Sequence, residues 1–154
     1  MSNVPRAPRE DSLQTSTSSA RSAVQSLYDG DLAARALGIE IVEVQPGCVR
    51  LAMTVRQDML NGHRTCHGGI IFALADTAFA FACNSHGQAM VAAGASIEFL
   101  APAVGGERLI ATATETSRSG RHGIYDVAVT RSSGESLAHF RGRCARLRVP
   151  SITP

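Results

Sequence analysis

The sequence predicts an α+β fold in which a curved antiparallel sheet wraps around one long apolar helix. Between Gly68 and Cys83 the chain reads GGIIFALADTAFAFAC, and Ile70, Ile71, Leu74, Ala75, Ala78, Phe79, Phe81 and Ala82 leave no broad polar stripe on a helical wheel. A helix that is apolar on every side is buried on every side. Two alternating apolar segments precede it and four follow, separated by turn residues at Pro46-Gly47, Gly105-Gly106, Ser119-Gly120 and Ser133-Gly134. Such short connections favour hairpins and near-neighbour antiparallel pairing, and one sheet covering one helix satisfies both features.

Residues 1–19 are rich in Ser, Thr and Pro and read as a flexible N-terminal arm; residues 20–150 then form the folded domain. From Ala20 to Leu37 the apolar positions Ala23, Val24, Leu27, Leu32, Ala33, Ala36 and Leu37 recur at helical spacing. Gly30 is a possible break and Gly38 a terminator, so two short helical pieces or one kinked helix are expected. Ile39, Ile41 and Val44 start an alternation that turns at Pro46-Gly47 and resumes at Val49, Leu51, Met53 and Val55. After the apolar helix the strand candidates are Met90 to Ala101, Arg108 to Ser117, Gly123 to Arg131 and Ser136 to Val149.

A chain of 154 residues and 16.2 kDa is one domain, so any functional site lies in its core or is shared with another subunit. The first residues carry charges and no apolar run, which predicts no secretory signal. Cys48, Cys66, Cys83 and Cys144 are widely spaced, favouring free thiols and a cytoplasmic location. A net charge of +2 gives no reason to expect nucleic acid as a partner, and no apolar run reaches membrane-spanning length.

Asp76 is the one charged residue of the apolar helix. Desolvation penalises an ionised carboxylate and raises its pKa, so this position suits a general base, general acid or nucleophile. A hydrogen bond to Thr77 or to nearby backbone is the alternative reading. Immediately before the helix stands Asn61-Gly62-His63-Arg64-Thr65-Cys66-His67-Gly68-Gly69. The first N–H groups of a helix have no internal partner and sit at the positive end of its dipole, where they can stabilise an oxyanion. Gly68 and Gly69 would let a substrate carbonyl approach that backbone.

His67-Gly68-Gly69 followed by Leu74-Ala75-Asp76 resembles the hotdog-fold acyl-coenzyme A thioesterases. The longer string LNGHRTCHGGIIFALADTAFAFACNSHG, with Ile97-Glu98-Phe99-Leu100 and Phe140-Arg141-Gly142, resembles the phenylacetate-degradation branch of that family. The resemblance runs from about Tyr28 to Leu147. It implies a hotdog fold and a thioester hydrolase acting on a (hydroxy)phenylacetyl or related short or aryl acyl-coenzyme A in phenylacetate degradation. It also implies Asp76 as the catalytic carboxylate, the Gly68 N–H as oxyanion donor, His67 beside the carbonyl and Asn61 positioning substrate or water. Family members are dimers or dimers of dimers with composite sites, which makes a homotetramer the expected assembly. In related thioesterases the turn after the second post-helix strand contacts coenzyme A, which singles out Ser119 and Gly120 with the flanking Arg118 and Arg121.

Spacing adds an independent constraint. Eight residues separate Gly68 from Asp76, about 12 Å along an α-helix, whereas one carbonyl needs both groups at hydrogen-bond reach. Two subunits related by a two-fold axis would then supply one group each. In that arrangement Asp76 activates water, or alternatively attacks directly to give an anhydride. His63, Cys66 and His67 lack the spacing of a zinc site, so neither a metal nor another cofactor is expected. Cys66 reads as packing rather than nucleophile. His86, His122 and His139 read as surface or strand histidines, and Asp126 as a partner for an arginine. A non-catalytic acyl-coenzyme A-binding regulator on the same fold is the alternative function.

Overall fold

The computed structural model describes residues 10–147. Helices α1 (Glu10–Gly30) and α2 (Leu32–Ala36) lead into the hairpin β1 (Glu40–Gln45) and β2 (Cys48–Thr54). A short 3₁₀ turn and a loop precede α3 (Gly68–Asn84), which is followed by β3 (Met90–Phe99), β4 (Arg108–Ser119), β5 (His122–Arg131) and β6 (Ser136–Arg146). The order strand, strand, long helix, four strands is the one expected from sequence.

Two helical pieces precede the first strand, as the Gly30 break suggests, and the Asp31 carboxylate caps α2 by accepting from Ala34 N at 2.9 Å. α1 begins at Glu10, however, so residues 10–19 are helix rather than a flexible arm; residues 1–9 lie outside those described. The physical reason is a narrow anchor. Ala20 and Val24 are fully buried one turn apart, and the Tyr28 hydroxyl donates to Ile39 O at 2.7 Å, while Thr15, Ser16, Ser18, Ser19 and Ser22 are exposed.

All pairings in the six-stranded sheet are antiparallel, with order β1-β2-β4-β5-β6-β3. β4–β5 and β5–β6 are hairpins, but β3 does not pair with its successor β4. It lies at the far edge beside β6, and residues 100–107 carry the chain back past two strands. The Gly105-Gly106 turn signal marks this crossover, not a hairpin.

α3 packs on the inner face of the sheet. Its Phe79 ring sits between Phe140 and Tyr125, at centroid distances of 5.7 and 5.9 Å, and a buried side chain of this size contributes about 1.5–3 kcal/mol. Gly142 on β6 is required by that packing, because a Cβ there would lie 2.7 Å from the Phe79 ring.

Candidate active site

α3 is not buried all round, which corrects the reading of its sequence. Ile71, Leu74, Ala75, Ala78, Phe79 and Ala82 are buried against the sheet, whereas Ala73, Asp76, Thr77 and Ala80 form a half-buried stripe along the other side. The stripe is lined by small residues apart from Asp76. Its apolar composition hid it from the helical wheel.

Asp76 makes no hydrogen bond or ion pair among the described residues. Thr77, the expected local partner, instead donates its hydroxyl to Ala73 O at 2.8 Å. Partial burial pushes the Asp76 carboxyl above the ordinary aspartate range. An uncompensated carboxylate in this setting gains by meeting a proton donor.

The loop before α3 is built around Asn61. Its Oδ1 accepts from His63 N at 2.9 Å and Thr65 N at 3.3 Å, and its Nδ2 donates to Thr65 Oγ1 at 3.1 Å. The backbone closes the same turn through Asn61 N to Thr65 O at 2.8 Å, and Arg64 adopts φ 62° within it. Asn61 thus shapes the loop from within the chain.

His67 is the N-cap of α3, and its ring Nδ1 accepts from Gly69 N at 3.1 Å. With Nδ1 accepting, the proton of the neutral imidazole resides on Nε2, pointing away from the helix as a donor. The Gly69 N–H is consumed by this cap. The Gly68 N–H has no partner among the described residues, so it is left as the free donor at the positive end of the helix. Gly68 is also sterically constrained, since a Cβ would approach Phe99 Cζ to 3.1 Å.

Cys66 is buried, and burial pushes its thiol up to about 11. That keeps it protonated at neutral pH and fits a packing role rather than a nucleophile. Among the described residues no three histidine, cysteine or carboxylate groups converge, His63, Cys66 and His67 included.

The turn carrying Arg118, Ser119, Gly120 and Arg121 is exposed and lies at the opposite end of α3 from Gly68. Arg118 donates to Gln88 in the loop after α3 at 2.9 Å, and Arg121 reaches Arg146 O at 3.4 Å. Within one chain the structure does not bring this turn to His67 and Gly68. Asp126 is held by Arg141 in a bidentate pair at 2.6 and 2.8 Å, in line with the pairing expected of it.

One polar cluster had no signal in the sequence. Glu115 Oε2 accepts from the Tyr125 hydroxyl at 2.6 Å and lies 2.6 Å from His86 Nε2. Ser85 beside it donates to Ala82 O and accepts from Gly47 N, tying the C-terminus of α3 to the β1–β2 turn. Burial pushes Glu115 up, but the hydrogen bonds from Tyr125 and His86 outweigh it and hold the carboxyl below the usual glutamate range. His86 is therefore a structural partner rather than a plain surface histidine.

A curved antiparallel sheet cradling one helix, with a glycine-rich N-terminus and an unpartnered carboxylate two turns on, defines a hotdog-fold protein of the thioesterase type. The thioesterase superfamily model matches residues 63–138, which include the His67-Gly68 cap and Asp76. Acyl-coenzyme A thioesterase PaaI of Escherichia coli K12 is 44% identical over 122 residues, covering 79% of this chain and 87% of that protein. A putative esterase of Archaeoglobus fulgidus is 36% identical, covering 79% of each. The solved structure of the E. coli PaaI protein from the phenylacetic acid degradation operon superposes with a TM-score of 0.84 at 42% identity, covering 86% of this chain and 96% of that one. The chain belongs to the thioesterase superfamily, within its PaaI-like acyl-coenzyme A thioesterase branch.

Proposed function

We propose that this protein hydrolyses acyl-coenzyme A thioesters to a free acid and coenzyme A, with phenylacetyl, hydroxyphenylacetyl or a related short or aryl group as the acyl part. The observation that carries the mechanism is the pairing of two unsatisfied groups on one helix: the Asp76 carboxylate and the Gly68 N–H. Asp76 takes a proton from water as the water oxygen bonds to the thioester carbon. The carbonyl electrons move to oxygen, where the Gly68 N–H and the Nε2–H of His67 hold the negative charge. Collapse of the tetrahedral intermediate breaks the C–S bond, and the proton on Asp76 passes to the departing thiolate. Its raised pKa suits Asp76 to both transfers.

The site is completed by a second copy of the chain. Gly68 and Asp76 are about 12 Å apart along α3, too far to serve one carbonyl. The half-buried stripe through Ala73, Asp76, Thr77 and Ala80 offers a helix-to-helix contact. β3 is an edge strand that exposes Val91 and Phe99, with Leu100 just beyond it, so an isologous β3 pairing would cover apolar surface and satisfy open backbone groups. An antiparallel two-fold arrangement sets Asp76 of one subunit beside the His67-Gly68 cap of the other. Arg118 and Arg121, with Ser119 and Gly120 between them, are assigned to the coenzyme A phosphates. The assembly is a dimer of dimers in the cytoplasm, a compartment in keeping with the four free cysteines.

Mixed subunits test this reading. Asp76→Asn and Gly68→Val protomers, each inactive alone, should recover up to about half of wild-type activity per heterodimer when reassembled, because one site collects both defects and the other neither. Heterodimers verified by mass spectrometry that stay inactive would place the site within one subunit.

A further inference from the structure

A cavity of about 300 Å³ opens between α1, the C-terminal half of α3 and the start of β3. Its wall includes Leu27 from α1, Phe79, Ala80 and Cys83 from α3, and Val91 from β3. Ala80 is one helical turn beyond Asp76, about 6 Å along the axis, and shares its half-buried stripe. Small-molecule sites are mostly apolar and begin at roughly 300 Å³. The polar groups at this cavity are already committed: Asn84 bonds Ala80 O and both backbone groups of Met90, and Asp31 caps α2. What remains is an apolar chamber one turn from the carboxylate.

We propose that this chamber receives the acyl group of the thioester and that Leu27 sets the size of acyl group accepted. The proposal rests on the hydrolase reading above and assigns its specificity to α1. Asp76, His67 and Gly68 lie within residues 63–138, the span shared with the superfamily, whereas α1 lies outside it. α3 and β3 of that span supply most of the chamber wall, and Leu27 is the apolar wall residue contributed from outside it. α1 is held by other residues: Ala20 and Val24 are buried, and the Tyr28 ring packs edge-on against Phe81 at 6.3 Å. Leu27 is 42% exposed, so its size can change without disturbing that anchor. In an antiparallel β3 pairing centred on the strand, Met90 of the chamber wall comes opposite the partner's Phe99, the residue whose ring lies against Gly68, which places the chamber on the same side as the partner's oxyanion donor.

The test compares kcat/KM for phenylacetyl-coenzyme A and acetyl-coenzyme A, read by thiol release, in wild type, Leu27→Trp and Leu27→Ala. The ratio of the two values does not depend on the fraction of folded enzyme. Leu27→Trp should lower the phenylacetyl-to-acetyl ratio by about 10- to 200-fold, the discrimination an apolar pocket supplies, and Leu27→Ala should raise it. A ratio that stays constant in both variants while wild type remains active overturns the chamber alone. A ratio moved by Leu100→Trp, in the cavity beside Gly68, but not by Leu27→Trp overturns it in favour of that second cavity. Wild type that releases no thiol from either substrate overturns the hydrolase reading, and this proposal with it.

Discussion

Asp76 and Glu115 are carboxylates partly withdrawn from water, one midway along α3 and the other beside its C-terminus, and their surroundings drive them in opposite directions. Glu115 has a hydroxyl and an imidazole within 2.6 Å of the same oxygen, and its pKa is lowered. Asp76 has no such partner among the described residues, and its pKa is raised. Burial alone therefore does not mark a working carboxylate. Lack of compensation is what sets Asp76 apart and makes it the candidate, because a group the fold has left unsatisfied is the one that gains by meeting a proton donor.

The largest expected effect breaks the comparison at Asp76. Asp76→Asn keeps the size and removes the base, so thiol release from an acyl-coenzyme A should fall by about two to four powers of ten with the fold intact. Turnover near that of wild type would remove Asp76 from the chemistry.

A smaller effect is expected at Glu115, and it falls on stability. Glu115→Gln replaces charge-assisted hydrogen bonds from Tyr125 and His86 by neutral ones, costing about 1 kcal/mol for each at neutral pH. The folded pKa of Glu115 is depressed, so its contribution is complete above the ordinary glutamate value of about 4.3 and disappears as pH falls through the depressed one. Denaturant melts at neutral and acid pH should show the penalty shrinking with acidity. A penalty that is the same at both would mean that the anion is not what the network holds.

The smallest effect carries the opposite sign. Because the folded pKa of Asp76 is raised, ionisation costs the native state stability as pH climbs from about 3.9 through the raised value. Asp76→Asn should therefore melt a few degrees above wild type at neutral pH, and the gain should vanish in acid. A variant that melts below wild type at neutral pH would show that Asp76 is compensated after all, and the contrast with Glu115 would collapse.

The contrast also explains what could be read in advance. Asp76 stood out because a lone charge in GGIIFALADTAFAFAC violates the local pattern, and the element order followed from period and turn residues. Glu115 lay in an alternating strand where a charge is ordinary, and its partners Tyr125 and His86 are 10 and 29 positions away, a proximity created by the fold alone. The return of β3 to the far edge was hidden for the same reason, since Gly105-Gly106 marks a turn but not which strand follows it in space. The helical start at Glu10 was missed because Ser/Thr-rich composition speaks of solvation, whereas a few anchored positions such as Ala20 and Val24 suffice to dock a helix. His67 was legible as the residue that enters the apolar helix. Its use of Nδ1 as a helix cap, which decides where the ring proton sits, was not.

The open edge of β3 has a consequence for the life of a newly made chain. From Val91 to Phe99 the strand offers an open backbone edge on the side away from β6 and exposed apolar side chains at its two ends, a template for an extended segment that meets it. The register shift between Ala92 and Gly94 disturbs that edge, and the exposed Glu98 places a charge near its end, so strange strands fit it poorly. In the assembly proposed above a second copy covers this surface, so dilution would prolong the time for which it stays open. On that arrangement, scarce chains are the ones expected to aggregate with other proteins, while abundant ones find their own kind first.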